Sequence, residues 1–186
     1  MKTKDEIDKI KATILHILAH FPDGVDFIKL FKIMYFAQKE HLVKYGRAII
    51  GDSFYALKHG PVPSFTYKAI QVNQGKIKAT DDLNEIAMVI SLSNNKISAK
   101  IDADKDELSV SDIKCLDHAI EKCKDIDSYS LSDISHDIAW KEAYTRSLDD
   151  PEKDKMTLID IATAGNASVD IINKIRESER IKMAFS

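Results

Sequence analysis

The chain has 186 residues, of which 44% are hydrophobic, and its 27 basic and 30 acidic side chains leave a net charge of −3. This length and apolar content suffice for one sizeable core, so we expect residues 1–186 to form a single domain, with residues 146–186 as a C-terminal helical extension. The near balance of charge makes nucleic-acid or membrane binding an unfavoured function.

The N-terminal third is predicted to form two helices. Isoleucines recur at helical spacing within residues 3–21, and Pro22-Asp23-Gly24 ends this first amphipathic helix. Asp26 is a suitable N-cap for the second helix. That helix is apolar around most of its circumference, which predicts that it is buried at the centre of the fold; its apolar residues are Ile28, Leu30, Phe31, Ile33, Met34, Tyr35, Phe36 and Ala37.

The chain then turns at Gly46 and is predicted to be extended over residues 49–57. The segment His59-Gly60-Pro61-Val62-Pro63 reads as a rigid corner, because Gly60 permits unusual backbone angles beside a proline. Pro63 or Ser64 opens a further helix that runs to about Asn73.

Between residues 86 and 101 the apolar period changes to two, on both sides of Asn94-Asn95. This pattern predicts a β-hairpin with a tight turn. The acidic residues 102–107 that follow are expected to be solvated.

The C-terminal half is predicted to be helical. Ser109 or Ser111 caps a helix that extends to about Asp125, and one helix within residues 130–145 is anchored by Leu131, Ile134, Ile138 and Trp140. A charged loop at residues 148–155 precedes a short helix over 156–164 and a last helix over 169–182. The sequence therefore predicts an α+β, mainly α fold, with helices around one buried central helix and a small antiparallel β-hairpin.

Cys115 and Cys123 lie eight residues apart in one predicted helix. A helical rise places their Cα atoms about 12 Å apart, beyond the reach of a disulfide. We expect two reduced, buried thiols. No run of 18 apolar residues and no signal peptide is evident, so a cytoplasmic location is predicted.

One strip of the central helix is unusual. On a helical wheel, Lys32, Phe36, Lys39, Glu40 and Val43 fall within about 100° of one another, on the side where water is expected. Either the hairpin or the last helix covers the apolar members of this strip, or the strip is an apolar patch with a charged rim that binds a partner.

Several polar residues invite a chemical interpretation. His41, Asp52 and His59 could form an acid–base set, but no nucleophile accompanies them. His16 and His20 have a chelating spacing without a recognisable third ligand, which favours a solvated face. No phosphate-binding glycine loop occurs. The residues therefore predict no catalytic, cofactor or metal site.

The segment Lys32-Ile33-Met34-Tyr35-Phe36-Ala37-Gln38, followed by His59-Gly60-Pro61-Val62 and later by Ser135-His136-Asp137-Ile138-Ala139-Trp140, resembles the SocA-like antitoxins. These carry the Panacea domain, which also occurs in phage-associated GepA-like proteins. The motifs lie within residues 26–70 and 130–145.

The resemblance implies a non-enzymatic domain that neutralises a protein toxin, either by direct contact or as an adaptor for a protease. It favours Lys32, Phe36, Lys39 and Val43 as partner-binding residues, together with the Asn94 hairpin and the C-terminal end at Met183 and Phe185. The motif residues are expected to be structural: Tyr35, His41, Asp52, Phe54, His59, Gly60, Pro61, Val62, His136 and Trp140. The alternatives are a small enzyme that uses His41, Asp52 and His59, and a DNA-binding autorepressor.

Overall fold

A computed structural model describes residues 2–184 of the chain, so the predicted role of Phe185 falls outside the described residues. The α+β, mainly α prediction is confirmed. Helix α1 (Lys4–Leu18) begins at a capping box, in which Thr3 and Glu6 each accept a hydrogen bond from the other's backbone N–H. This arrangement satisfies N–H groups that the first turn of a helix leaves unpaired.

The central helix α2 (Phe27–Tyr45) has both of its predicted ends. The Asp26 side chain accepts a hydrogen bond from the backbone N–H of Lys29. Gly46 ends the helix in the left-handed conformation, with φ of 66°. Leu30, Ile33 and Tyr35 are completely buried, and one hydrophobic cluster surrounds them that extends from Ile7 to Ile175.

The predicted hairpin is present but shorter than expected. Strands β4 (Ile90–Ser93) and β5 (Lys96–Ala99) are antiparallel, and β1 (Val25–Asp26) pairs with β5 to give the order β1-β5-β4. Asn94 and Asn95 form the turn with positive φ of 49° and 60°. Helix α4 (Asp81–Ala87) precedes the hairpin. It was not predicted, because the alternating pattern was taken to begin at residue 86, inside this helix.

A second antiparallel sheet forms where the sequence predicted an extended segment and a corner. Strands β2 (Phe54–Leu57) and β3 (Gly60–Pro63) make a tight hairpin, and β6 (Lys155–Met156) pairs with the other edge of β2. Strand β6 takes in Lys155, the last residue of the predicted loop 148–155, and Met156, which was predicted to begin a helix. That prediction was therefore wrong over part of its length.

Helix α3 (Ser64–Asn73) follows β3 as predicted. Helix α5 (Val110–Cys123) is capped by Ser109 and packs along α2. The thiols of Cys115 and Cys123 are free and buried, as expected.

The helix predicted within residues 130–145 is two helices, α6 (Ser128–Ile134) and α7 (Ile138–Asp149). The chain breaks between them because Asp137 starts α7, accepting a hydrogen bond from the backbone N–H of Trp140. Ile134 and Ile138 flank this break and are more than half exposed, so they are not the core anchors that the sequence suggested.

Helices α8 (Leu158–Ala164) and α9 (Val169–Ala184) complete the described chain, and both contact α2. Two short 3-10 helices occur at Lys105–Glu107 and Pro151–Lys153. Within residues 2–184, every helix is too short or too polar to cross a lipid bilayer.

Candidate functional site

An apolar groove of about 660 Å³ opens beside α2, bounded by α5, α6 and the residue that follows α8. We call it the groove; its apolar lining consists of Phe36, Val43, Ala119, Cys123, Ile126, Leu131 and Ile134. Gly165 lies at one end, where an added Cβ would overlap the side chain of Val43. Glycine therefore permits α8 to approach α2 closely at this point.

The rim of the groove is charged and mainly basic: Lys39, Glu40, Lys44, His118 and Lys122. Glu40 accepts hydrogen bonds from Lys44 and His118. Burial by itself would raise the pKa of Glu40, but these two hydrogen bonds hold it below its usual value. Lys44 is thus paired with Glu40 and Lys39 with Asp137, so the three lysines leave the rim with only a small excess of positive charge.

Of the four residues predicted to bind a partner, Phe36, Lys39 and Val43 line the groove. Lys32 does not, because it is only 1% exposed and its Nζ donates a 2.9 Å hydrogen bond to the carbonyl of Pro61. The expectation that Lys32 lies on a solvent strip was wrong. The helical wheel placed Lys32 on the same side of α2 as Phe36, Lys39 and Val43. Strand β3 covers this side of the helix at Lys32 and so buries it.

The burial of Lys32 has an electrostatic consequence. Removal from water disfavours the charged amine and lowers the pKa of Lys32 to about 7. The only hydrogen bond of Nζ within the described chain goes to an uncharged carbonyl, which offers little compensation for the lost hydration.

The two separated motif segments meet at Asp137. One oxygen of its carboxylate accepts hydrogen bonds from the Tyr35 hydroxyl at 2.7 Å and from Lys39 Nζ at 2.8 Å. The other oxygen caps α7. Burial and the charge of Asp137 raise the pKa of Tyr35. Its hydroxyl therefore keeps its proton and is the donor in this hydrogen bond. Phe54 packs its ring edge against Tyr35, with centroids 5.5 Å apart.

The hairpin of β2 and β3 is held by the second motif segment. Ser132 donates to the carbonyl of His59, and the indole N–H of Trp140 donates to the carbonyl of Leu57. Gly60 has φ of +95°, and a Cβ at this position would overlap Ser135 Oγ. Pro61 and Val62 are buried beside it.

Trp140 is half-buried in a stack of three rings. His136 lies on one side at a centroid distance of 3.7 Å, and Tyr144 lies at 4.8 Å. Burial lowers the pKa of His136, and its Nε2 has no hydrogen-bond partner within residues 2–184. The stack fixes the Trp140 ring on α7, from which its indole N–H reaches the β2–β3 hairpin.

His41 belongs to a buried charge network. Its Nδ1 donates to the carbonyl of Arg47, and its Nε2 lies 3.0 Å from Asp112 Oδ1. Lys9 also contacts this carboxylate at 2.9 Å. Burial would raise the pKa of Asp112, but hydrogen bonds from His41, Lys9 and Ser109 hold it well below its usual range.

Asp52 supplies the cap that α3 cannot provide itself, because the N-cap position is Pro63. Its carboxylate accepts hydrogen bonds of 2.9 Å from the backbone N–H groups of Phe65 and Thr66 and from the Thr66 hydroxyl. Burial raises the pKa of Asp52 against the opposing effect of these donors.

We expect Asp52→Ala to lower the free energy of unfolding by about 1–2 kcal/mol, because the first turn of α3 loses its acceptor. Asp52→Asn is the matched control, since it keeps one acceptor oxygen, and should lose less. Urea unfolding followed by circular dichroism measures both. A loss below about 0.5 kcal/mol in the alanine variant would contradict the capping role.

His41, Asp52 and His59 have separate environments. His41 faces Asp112, Asp52 faces the start of α3, and His59 is exposed on the hairpin, near His136. The enzyme alternative predicted that the three side chains converge, and the structure does not bring them together.

Three side chains could hold a metal ion. His16, His20 and Asp117 each place a ligand atom within 4.8 Å of the other two. The sequence did not reveal Asp117 as a third ligand, because it lies on α5, about 100 residues after the histidines.

Sequence reasoning also missed the α5 wall of the groove, formed by His118, Ala119, Lys122 and Cys123. Their spacing of three and four residues places them on one face of a helix, and this could have been recognised from the sequence. The sequence does not indicate that this face lies against α2. Leu131 and Ile134 were both assigned to the core, which is right for Leu131 at 1% exposure and wrong for Ile134 at 57%.

A comparison with protein-family models gives a match to the family described as "Antitoxin SocA-like, Panacea domain", over residues 30–141. The match includes α2 from Leu30 onward, the β2–β3 hairpin, α5 and α6. Comparison with curated proteins and with solved structures gave no match.

Proposed function

Because the chain belongs to the SocA-like antitoxin family with a Panacea domain, we propose that it neutralises a protein toxin by binding it in the groove. The observation that carries this proposal is the apolar lining beside α2, with Ile134 57% exposed at its edge. Exposed apolar surface inside a polar rim is typical of protein-binding sites.

The shape and charge of the groove favour one kind of occupant. Its walls are helices, and such grooves accept an amphipathic helix whose apolar side chains enter at helical spacing. The basic rim of Lys39, Lys44 and Lys122 complements acidic side chains beside that apolar face. We therefore propose that the toxin segment is an amphipathic helix with acidic flanks.

We further propose that the motif residues hold this surface in place without contacting the toxin. Tyr35 binds Asp137, which caps α7, and Ser132 fixes the β2–β3 hairpin to α6. A rigid scaffold reduces the ordering cost of binding. The domain would then act without chemistry of its own, in the cytoplasm, where its thiols remain reduced.

The test is co-expression with a toxic product of a neighbouring gene, scored by recovery of bacterial growth. Ile134→Asp should abolish recovery, because it places a charge at the apolar edge of the groove and lowers toxin affinity by roughly thirtyfold or more. Ile138→Asp is the matched control: it is the same residue type, with 53% exposure against 57%, and lies outside the groove.

Circular dichroism of both variants establishes that they fold. Recovery by Ile134→Asp equal to that of the natural chain would overturn the groove as the binding site. Failure of the natural chain to protect against the toxin would contradict that toxin as its partner.

Two mechanisms are open to such an antitoxin, and toxin abundance distinguishes them. Direct neutralisation leaves the toxin level unchanged when the antitoxin is present. An adaptor for a protease lowers the toxin level, and its protection disappears in a host that lacks the protease.

A further inference from the structure

We propose that His16, His20 and Asp117 form a zinc-binding site that links the end of α1 to α5. This proposal is independent of the groove and of the toxin. One ligand atom from each of the three side chains lies within 4.8 Å of the other two. Tetrahedral zinc ligands lie about 3.3 Å apart for metal–ligand bonds of about 2.0 Å, so small side-chain rotations bring the three atoms to coordination distance.

The hydrogen bond of His20 prepares its ring as a ligand. His20 Nδ1 lies 3.0 Å from the carbonyl oxygen of His16, and a carbonyl only accepts, so Nδ1 carries the proton. The neutral ring therefore has its lone pair on Nε2. A backbone carbonyl that fixes the tautomer in this way is the usual outer contact of a metal-binding histidine.

His16 and Asp117 already lie within contact distance across the two helices. His16 Nε2 is 2.7 Å from Asp117 Oδ1, and because a carboxylate only accepts, zinc would replace the proton between these two atoms and release it to solvent. The His16 side chain is 9% exposed, whereas that of Asp117 is 52% exposed, and His20 is also exposed. One ligand is thus fixed inside the protein and two face the solvent, which gives the metal a route of entry.

The ligand chemistry favours a divalent transition metal, of which zinc is the one that we propose, over magnesium or calcium. Two imidazoles and one carboxylate suit zinc, whereas magnesium and calcium require mainly oxygen ligands. Three protein ligands leave a fourth tetrahedral position for water. Bound zinc would fix the turn after α1 against α5, the helix that also forms one wall of the groove.

Titration of the full-length, chelator-treated protein with zinc chloride in a calorimeter tests the site. We expect one zinc per chain, and a melting temperature that rises by roughly 5–10 °C at a hundredfold excess over Kd. Cobalt substitution should give the visible absorption of a tetrahedral site. His20→Gln and Asp117→Asn should each weaken zinc binding at least about tenfold and remove that absorption.

His59→Gln and Asp125→Asn are the matched controls, because both residues are exposed and lie outside the cluster. Both should bind zinc as the natural chain does. Circular dichroism excludes unfolding as the cause of any loss. The proposal is overturned if zinc produces no heat at millimolar concentration, or if it binds the ligand variants and the natural chain equally. In the second case the His16–Asp117 contact is a hydrogen bond only.

Discussion

Gly60→Ala is expected to lower the free energy of unfolding by roughly 3 kcal/mol or more. Backbone strain and steric overlap both destabilise the folded state at this position. An alanine at φ of +95° is strained, and its Cβ would overlap Ser135 Oγ and lie 2.7 Å from Lys32 Nζ. Neither neighbour can move freely, because Ser135 Oγ donates to the carbonyl of Ser132 and Lys32 Nζ donates to that of Pro61.

Gly75→Ala separates the two costs. Gly75 also has positive φ, of +67°, but an added Cβ meets no atom of the described chain within 4 Å. This variant should lose only about 1 kcal/mol, from backbone strain alone. Urea unfolding of both variants gives, as the difference, the packing cost together with the additional strain of φ +95° over +67°. If the two losses are equal, the close approach of α6 to the hairpin does not require glycine.

A second substitution tests which atom causes the clash. Ser135→Ala removes the Oγ that overlaps the new methyl group. In the double variant Gly60→Ala with Ser135→Ala, we expect the combined loss to be smaller than the sum of the single losses. Residues in direct contact show this kind of non-additivity, whereas independent sites do not.

The elements that could be predicted from the sequence are those with local causes. Asp26 and Gly46 define both ends of α2 through a side-chain cap and a left-handed residue, which are signals within a few positions of the helix. The Asn94-Asn95 turn is equally local, since asparagine tolerates positive φ. The central position of α2 followed from its apolar circumference.

The elements that were missed depend on distant partners. Strand β6 has two residues and pairs with β2 about 100 positions earlier, so its own sequence contains too little signal. The break between α6 and α7 was missed for a different reason. Apolar residues continue at helical spacing across it, and only the cap at Asp137 shows where the new helix begins.

The groove was predicted in part. A helical wheel of α2 identified Phe36, Lys39 and Val43 as apolar and basic residues on one strip, and these line the groove. The wheel gives angles around one helix and contains no information about what packs there. It therefore placed Lys32 in water, although β3 buries it, and it could not supply the wall that α5 contributes.

Replacement of Lys32 by methionine is expected to stabilise the protein by several kcal/mol at pH 6. In the folded state the amine has a pKa of about 7, because burial disfavours its charge, whereas an unfolded lysine keeps its ordinary value of 10.5. Each pKa unit corresponds to about 1.4 kcal/mol. Methionine fills a similar volume without a charge to bury, and it loses one hydrogen bond to Pro61, worth about 1 kcal/mol.

The sign of the pH dependence follows from the same shift. Between pH 7 and 10.5 the unfolded chain holds the Lys32 proton and the folded chain has released it, so the folded state gains stability as pH rises. The destabilisation by Lys32 is fully present below pH 7. The advantage of Lys32→Met should therefore shrink by roughly 2–3 kcal/mol between pH 6 and pH 9.

Urea unfolding of the natural chain and of Lys32→Met at pH 6, 7, 8 and 9 measures this difference, and other titrating groups cancel in the comparison. Lys68→Met, at an exposed position of α3, is the control and should change stability by less than about 0.5 kcal/mol at every pH. An advantage of Lys32→Met that stays constant from pH 6 to pH 9 would mean that Lys32 keeps its proton in the folded protein. In that case the carbonyl of Pro61 and its surroundings solvate the charge, and the β2–β3 hairpin is built to hold a cation.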